Sequence, residues 1–239
     1  MIHNILTIFI AFIIYAFIGW IFEVICVAFI EKKFVNRGFL IGPYCPIYGF
    51  GSITMTLLLQ KYKDDIMILF VMSVVICSIL EYITSYIMEK LFKARWWDYS
   101  HKKFNINGRI SLYNSIIFGI FGCLIILAIN PMIIKIINLI PNIMLYIISF
   151  VLFCIFIIDN IISFKIINGM KNTAYQIKKD NTSQITEKVK EILKNKSILS
   201  KRLINAFPNF SSTLKTKADE IEEKRKQIIE KINIAYKKK

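Results

Sequence analysis

Long apolar runs with almost no charge constrain this chain more than any other feature. Residues 5–30, 66–88, 112–129 and 142–164 each contain no more than one charged side chain. A helix needs roughly 20 apolar residues to cross a hydrocarbon core of about 30 Å. A fifth run, 47–60, is short for a span unless it begins inside the preceding loop near Pro46, where proline suits a first helical turn. Composition agrees: 56% of the 239 residues are hydrophobic and the mean hydropathy is +0.55, too apolar for a water-facing surface. The expectation is an all-α polytopic membrane protein with about five transmembrane helices and a helical, basic, cytoplasmic C-terminal tail. Residues 1–168 form its membrane domain and 169–239 its tail.

Charge sets the expected orientation. Lys and Arg number three over 31–46, two over 61–65, six over 89–111, one over 130–141 and nineteen after 164. High and low counts alternate, so the positive-inside rule predicts the N-terminus outside, the first and third connectors inside, and the tail in the cytoplasm of a cell membrane. No Lys or Arg precedes the first run, so it reads as a retained span and not a cleaved signal. The stretch 132–140 is too short to span after the Asn130-Pro131 breaker and is expected at the interface. Trp96, Trp97 and Tyr99 suit the same interfacial belt.

The tail, with nineteen basic against eight acidic residues, follows a span, so anionic head groups are its expected counter-charge and nucleic acid is not. Asn181 with Gln184 forms a capping-box pattern ahead of a stripe at Ile185, Val189, Ile192 and Leu193. A second helix is expected over 198–207, before Pro208, and Leu214, Ala218, Ile221, Ile228 and Ile232 give a short heptad-like pattern interrupted by Arg225.

Between the first two runs lies FVNRGFLIGPYCPIYGFG, residues 34–51. Gly38, Gly42, Gly49 and Gly51 permit close approach or positive φ, Pro43 and Pro46 remove donors, and Arg37 adds charge. A simple connector needs none of this, so the stretch reads as a built structural loop. Glu23 and Glu81 fall inside predicted spans, on faces shared with Ala16, Gly19, Trp20 and Cys26 and with Ser78, Ser85 and Met88. Intramembrane carboxylates line cavities, pair with cations or relay protons. Arg37, beside Gly38, and Arg109, beside Gly108, could each fork onto a phosphate or carboxylate, or simply meet lipid phosphates. The glutamates and arginines are expected near one membrane depth, with Glu23 within reach of Arg37. Asp159, near Lys165, reads as interfacial.

Five cysteines, at 26, 45, 77, 123 and 154, show no CxxC spacing, so neither a disulfide framework nor a metal site is expected. Cys45 with His101 would make a nucleophile and base, but no spaced acid orients the histidine, and no catalytic residue is assigned. A phosphate-binding GxxxxGK[ST] loop is absent, and no cofactor is expected.

The segments GWIFE at 19–23, NRGFLIGPYCPIYGFG at 36–51, RWWDYS at 95–100 and FNINGRISL at 104–112 resemble the bacterial family called Putative ABC-transporter type IV, or CmpB-like permeases. The likeness is good over roughly residues 10–125 and returns in RLINAFPNF at 202–210. It adds Asp98 and Asn105 to Glu23, Arg37, Glu81 and Arg109 as candidates for a substrate or ion site. It places Gly38, Gly42, Pro43, Cys45, Pro46 and Gly49 in the family's loop. The resemblance implies a permease-like membrane component, a separate ATPase subunit, and self-association, since few spans rarely enclose a route alone. The alternative is a membrane-embedded enzyme acting on a lipid or lipid-linked anionic substrate, with Glu23 or Glu81 as base and the arginines as clamps.

Overall fold

The computed structural model describes residues 2–32, 34–36, 38–92, 95–179 and 202. Among these residues six α-helices and one small hairpin follow in chain order: α1 (Ile2–Glu31), α2 (Pro46–Leu59), α3 (Ile66–Phe92), β1 (Asn105–Ile106), β2 (Ile110–Ser111), α4 (Leu112–Leu124), α5 (Asn130–Asn138) and α6 (Asn142–Lys179). Among the described residues four segments are long and apolar enough to cross a membrane: Ile2–Phe29, Ile66–Phe92, Leu112–Asn138 and Asn142–Asn168. Large apolar side chains such as Phe150, Val75 and Ile83 point outward and are about half or more exposed. That pattern fits a lipid surround, where an exposed apolar face carries no penalty.

The fifth apolar run folds as α2, only 14 residues long. At 1.5 Å per residue it reaches about 21 Å, short of a full crossing. Its start lies halfway along α1, because the Cys45 amide donates to the Ala16 carbonyl at 2.9 Å. From there α2 runs back along α1, Gly49 against Phe12 and Ile53 against the cluster of Ile10 and Ala11. Gly49 is needed for that approach, since a Cβ there would lie 2.8 Å from the Phe12 carbonyl oxygen and 2.6 Å from its ring. Small residues let membrane helices close to contact distance in this way. Lys32, with φ of 52°, stops α1 in the left-handed conformation, and the chain then returns as irregular backbone to the level of Ala16.

Asn130-Pro131 does not end the fourth span, contrary to the expectation, and 132–140 is not a separate interfacial stretch. Residues Ile125–Ile129 form a π-helical turn, Pro131 sits in the first turn of α5, and Leu112–Asn138 is one apolar segment. Proline lacks an N–H and its ring collides with the carbonyl four residues back. Widening the preceding turn relieves both problems. Tyr15 on α1 then donates to Asn130 Oδ1 at 3.0 Å, both residues buried, so the supposed breaker is an interhelical contact.

The described residues form two compact units, residues 1–87 with 97–165, and residues 88–96 with 166–179. The first contains the core clusters, in which Leu59, Leu69 and Ile126, and separately Ile133, Ile137 and Leu145, are almost fully buried. In the second, Arg95 Nε lies 2.9 Å from Glu89 Oε2, and Phe92 meets Trp96 edge-on. The helices and heptad pattern expected in the tail lie outside the described residues.

Candidate functional site

Two groups of polar side chains are built inside the first unit, both around carboxylates of spanning helices. The first belongs to the glycine-rich loop. Trp20 Nε1 donates to Asn36 Oδ1 at 2.7 Å, and the Asn36 amide reaches the Ile41 carbonyl at 3.3 Å. Asp159, on α6, then receives four donors: the Ile41 amide at 2.9 Å, the Gly42 amide at 2.7 Å, the Tyr44 hydroxyl at 2.5 Å and the Ser163 hydroxyl at 2.9 Å. Asp159 is 8% exposed, so these bonds satisfy both a buried charge and the amides of buried irregular backbone. Gly42 makes room for the Tyr44 ring, Gly38 is buried, Pro43 precedes Tyr44, and Cys45 and Pro46 are the N-cap and first residue of α2. Cys45 is buried, whereas His101 is exposed.

The second group holds the two glutamates. Glu23 Oε1 accepts from the Tyr48 hydroxyl at 2.5 Å, and Glu81 Oε1 accepts from the Tyr99 hydroxyl at 3.1 Å. Tyr99 feels both acids: burial first, then the Glu81 carboxylate and after it that of Glu23, push its phenol well above its ordinary range. The phenol consequently stays protonated and acts as a donor. Glu81 is 6% exposed, and its Oε2 is buried with no hydrogen-bond partner.

Tyr99 is aimed by the hairpin. Asn107 and Gly108 both have positive φ, and the Arg109 amide closes the turn onto the Ile106 carbonyl at 3.0 Å, the Asn-Gly chemistry of tight hairpins. The Tyr99 amide donates to the Gly108 carbonyl at 2.8 Å, and Trp97 Nε1 to the Arg109 carbonyl at 3.0 Å. Asn105 accepts from the Gly108 amide at 2.9 Å and donates to the Lys102 carbonyl at 2.7 Å. Asp98 accepts from the Ser100 amide and hydroxyl. Asp98 and Asn105 thus shape the loop that carries Tyr99. Lys102 Nζ donates to Asn114 Oδ1 at 2.9 Å and lies over the rings of Tyr99 and Tyr113.

Arg109 is buried, donates to Ser85 Oγ at 3.3 Å, and lies over the rings of Tyr82 and Tyr86 on α3. Arg37 lies outside the described residues. Glu23, Glu81 and Tyr99 are therefore brought together, with Arg109 a turn further along α3 at Ser85. Sequence reasoning did not single out Tyr48, Tyr99 or Asp159 as site residues. One signal could have found Asp159: a carboxylate in an apolar run, the criterion that selected the glutamates. Among the described residues no three His, Cys, Asp or Glu side chains gather as a metal site.

No curated protein and no solved structure matches this chain. The model of the family described as Putative ABC-transporter type IV matches residues 10–164, a segment that holds α1 from its third turn, both carboxylate groups and most of the apolar part of α6. With four spanning-length helices and the family's segment covering well over half of its length, the chain belongs to the Putative ABC-transporter type IV family of membrane proteins.

Proposed function

We propose that this chain is the permease-like, membrane-embedded component of a transporter, with the Glu23–Tyr48 and Tyr99–Glu81 pairs as the polar site on its route. The observation that carries this reading is the interrupted segment 34–59: irregular backbone returns to mid-α1 and continues as the half-length α2. Such backbone at membrane depth is tolerated where it is buried in protein or lines a cavity, and broken helices of this kind form the binding sites of many transporters. The site lies where α2 passes Gly19 and Glu23. An ATPase on another chain supplies the energy, the N-terminus is outside, and the basic tail meets anionic lipid in the cytoplasm.

The test is purification of the tagged full-length chain from its native membranes, followed by nanodisc reconstitution with the ATPase that accompanies it. ATP hydrolysis should depend on the chain and lose that dependence in Glu23→Gln. If no nucleotide-hydrolysing subunit accompanies the chain, and it instead alters a lipid added to the nanodisc, the permease reading is wrong and the enzyme reading replaces it.

A further inference from the structure

Glu81 presents a chemical imbalance that the rest of the site does not resolve. One oxygen takes a 3.1 Å bond from Tyr99, while the other is buried and receives none. An ionised carboxylate with an unpartnered oxygen, held in an apolar span, is strongly disfavoured unless a positive charge joins it. The groups around it do not supply one by direct bonding. Glu23 faces it from α1, with Tyr48 from α2 bonded to that glutamate. Cys77 lies one turn before it on α3, and Tyr99 and Lys102 come from the loop. The Lys102 ammonium is bonded to Asn114, and Arg109 is bonded to Ser85 one turn beyond. A second carboxylate nearby makes the missing positive charge more necessary.

The polar positions of α3 continue past Glu81. Ser73, Cys77, Glu81 and Ser85 are four residues apart and share one face. Ser73 Oγ is also buried without a partner. Two orphaned polar groups on one file, in a span, are what a route for small polar species leaves behind.

We propose that Glu81 is a proton-binding site that takes one proton on Oε2 from water on the side of the 97–111 loop, past Ser85, and returns it. The step is a simple transfer: hydronium gives its proton to the carboxylate, water remains, and release reverses it. A proton fits better than an alkali cation, because a proton needs one lone pair whereas a metal ion needs a shell of several oxygens. The Tyr48 and Tyr99 hydroxyls already turn their hydrogens toward the carboxylates. Glu23, bonded to Tyr48, is a second carboxylate beside the site and adds negative charge that favours binding of a cation as small as a proton. The proposal deepens the permease-like reading by naming its coupling species.

The experiment is labelling of the full-length protein in detergent micelles with dicyclohexylcarbodiimide, which reacts with protonated carboxyls in apolar surroundings. Adducts are located by peptide mass spectrometry from about pH 5 to pH 9, the range in which a perturbed carboxyl titrates. The expected result is an adduct on the Glu81 peptide that declines as pH rises and is lost in Glu81→Gln. Because that variant could fail to fold, Tyr99→Phe is the second. Removing the phenol that stabilises the anion should extend labelling upward by about one pH unit. No adduct on Glu81 in monodisperse protein, an adduct on Glu23 alone, a yield independent of pH, or suppression of labelling by sodium or potassium chloride present during the reaction at fixed pH would each overturn the proposal. Correct labelling in a chain that couples to no ATPase would leave the proton site standing and remove only the transporter reading.

Discussion

At Asp159 four donors converge on one carboxylate, two of them backbone amides of a loop more than a hundred residues away in sequence. Asp159→Ala should lower the unfolding free energy in detergent by about 3 kcal/mol, because several buried donors lose their acceptor at once. Ser163→Ala removes one donor and should cost about 1 kcal/mol. Equal losses from the two would mean that the loop does not depend on this carboxylate. Glu23 and Tyr48, 2.5 Å apart, should be coupled, so that Glu23→Gln with Tyr48→Phe deviates from additivity by about 0.5–3 kcal/mol in a double-mutant cycle of thermal unfolding. The glutamates were legible in sequence because charge inside a span is costly. Their partners were not, because the tyrosines stand 25 and 18 residues away and spacing says nothing about which phenol a helix will meet.

At the scale of elements, α2 and the fourth span show how tertiary contacts override local signals. The two α2 glycines, Gly49 and Gly51, look alike in sequence, yet a Cβ at Gly49 would press into Phe12 whereas one at Gly51 meets nothing within 4 Å. Gly49→Ala should therefore destabilise by about 1–3 kcal/mol through overpacking. Gly51→Ala should be neutral or stabilising by up to about 1 kcal/mol, since alanine favours helix. The pair is read by urea or thermal unfolding in one detergent, and a larger loss at Gly51 would contradict the packing. Pro131 signalled a break, but a π turn absorbs it and the apolar segment continues. The Asn107-Gly108 dipeptide, which sequence reasoning did not use, forms a tight turn that directs Tyr99 toward Glu81.

For the molecule as a whole, the proposed direction of each crossing rests on the charge of the connectors. Four spanning-length helices alone would return both ends to one side. In the proposed orientation, segment 34–59 is a further traverse that lets the basic connectors alternate. Reporter fusions after residues 62, 100 and 239 should read outside, inside and inside. A cytoplasmic reading at 62 would mean that the segment turns back on the side it entered, and the orientation argument would fail.

Membrane embedding, the helical class, the family and the two intramembrane glutamates followed from sequence, because hydropathy, the cost of charge and motif order are properties of residues read along the chain. Tertiary structure decided that the fifth run is a half-length helix reached by returning backbone, that the fourth span survives its proline, and that tyrosines and an aspartate of α6 hold the polar groups. These outcomes depend on which backbone amides and side chains lie across from one another once helices pack. Each buried donor or acceptor must then find its partner in space, however far apart the two stand in the chain.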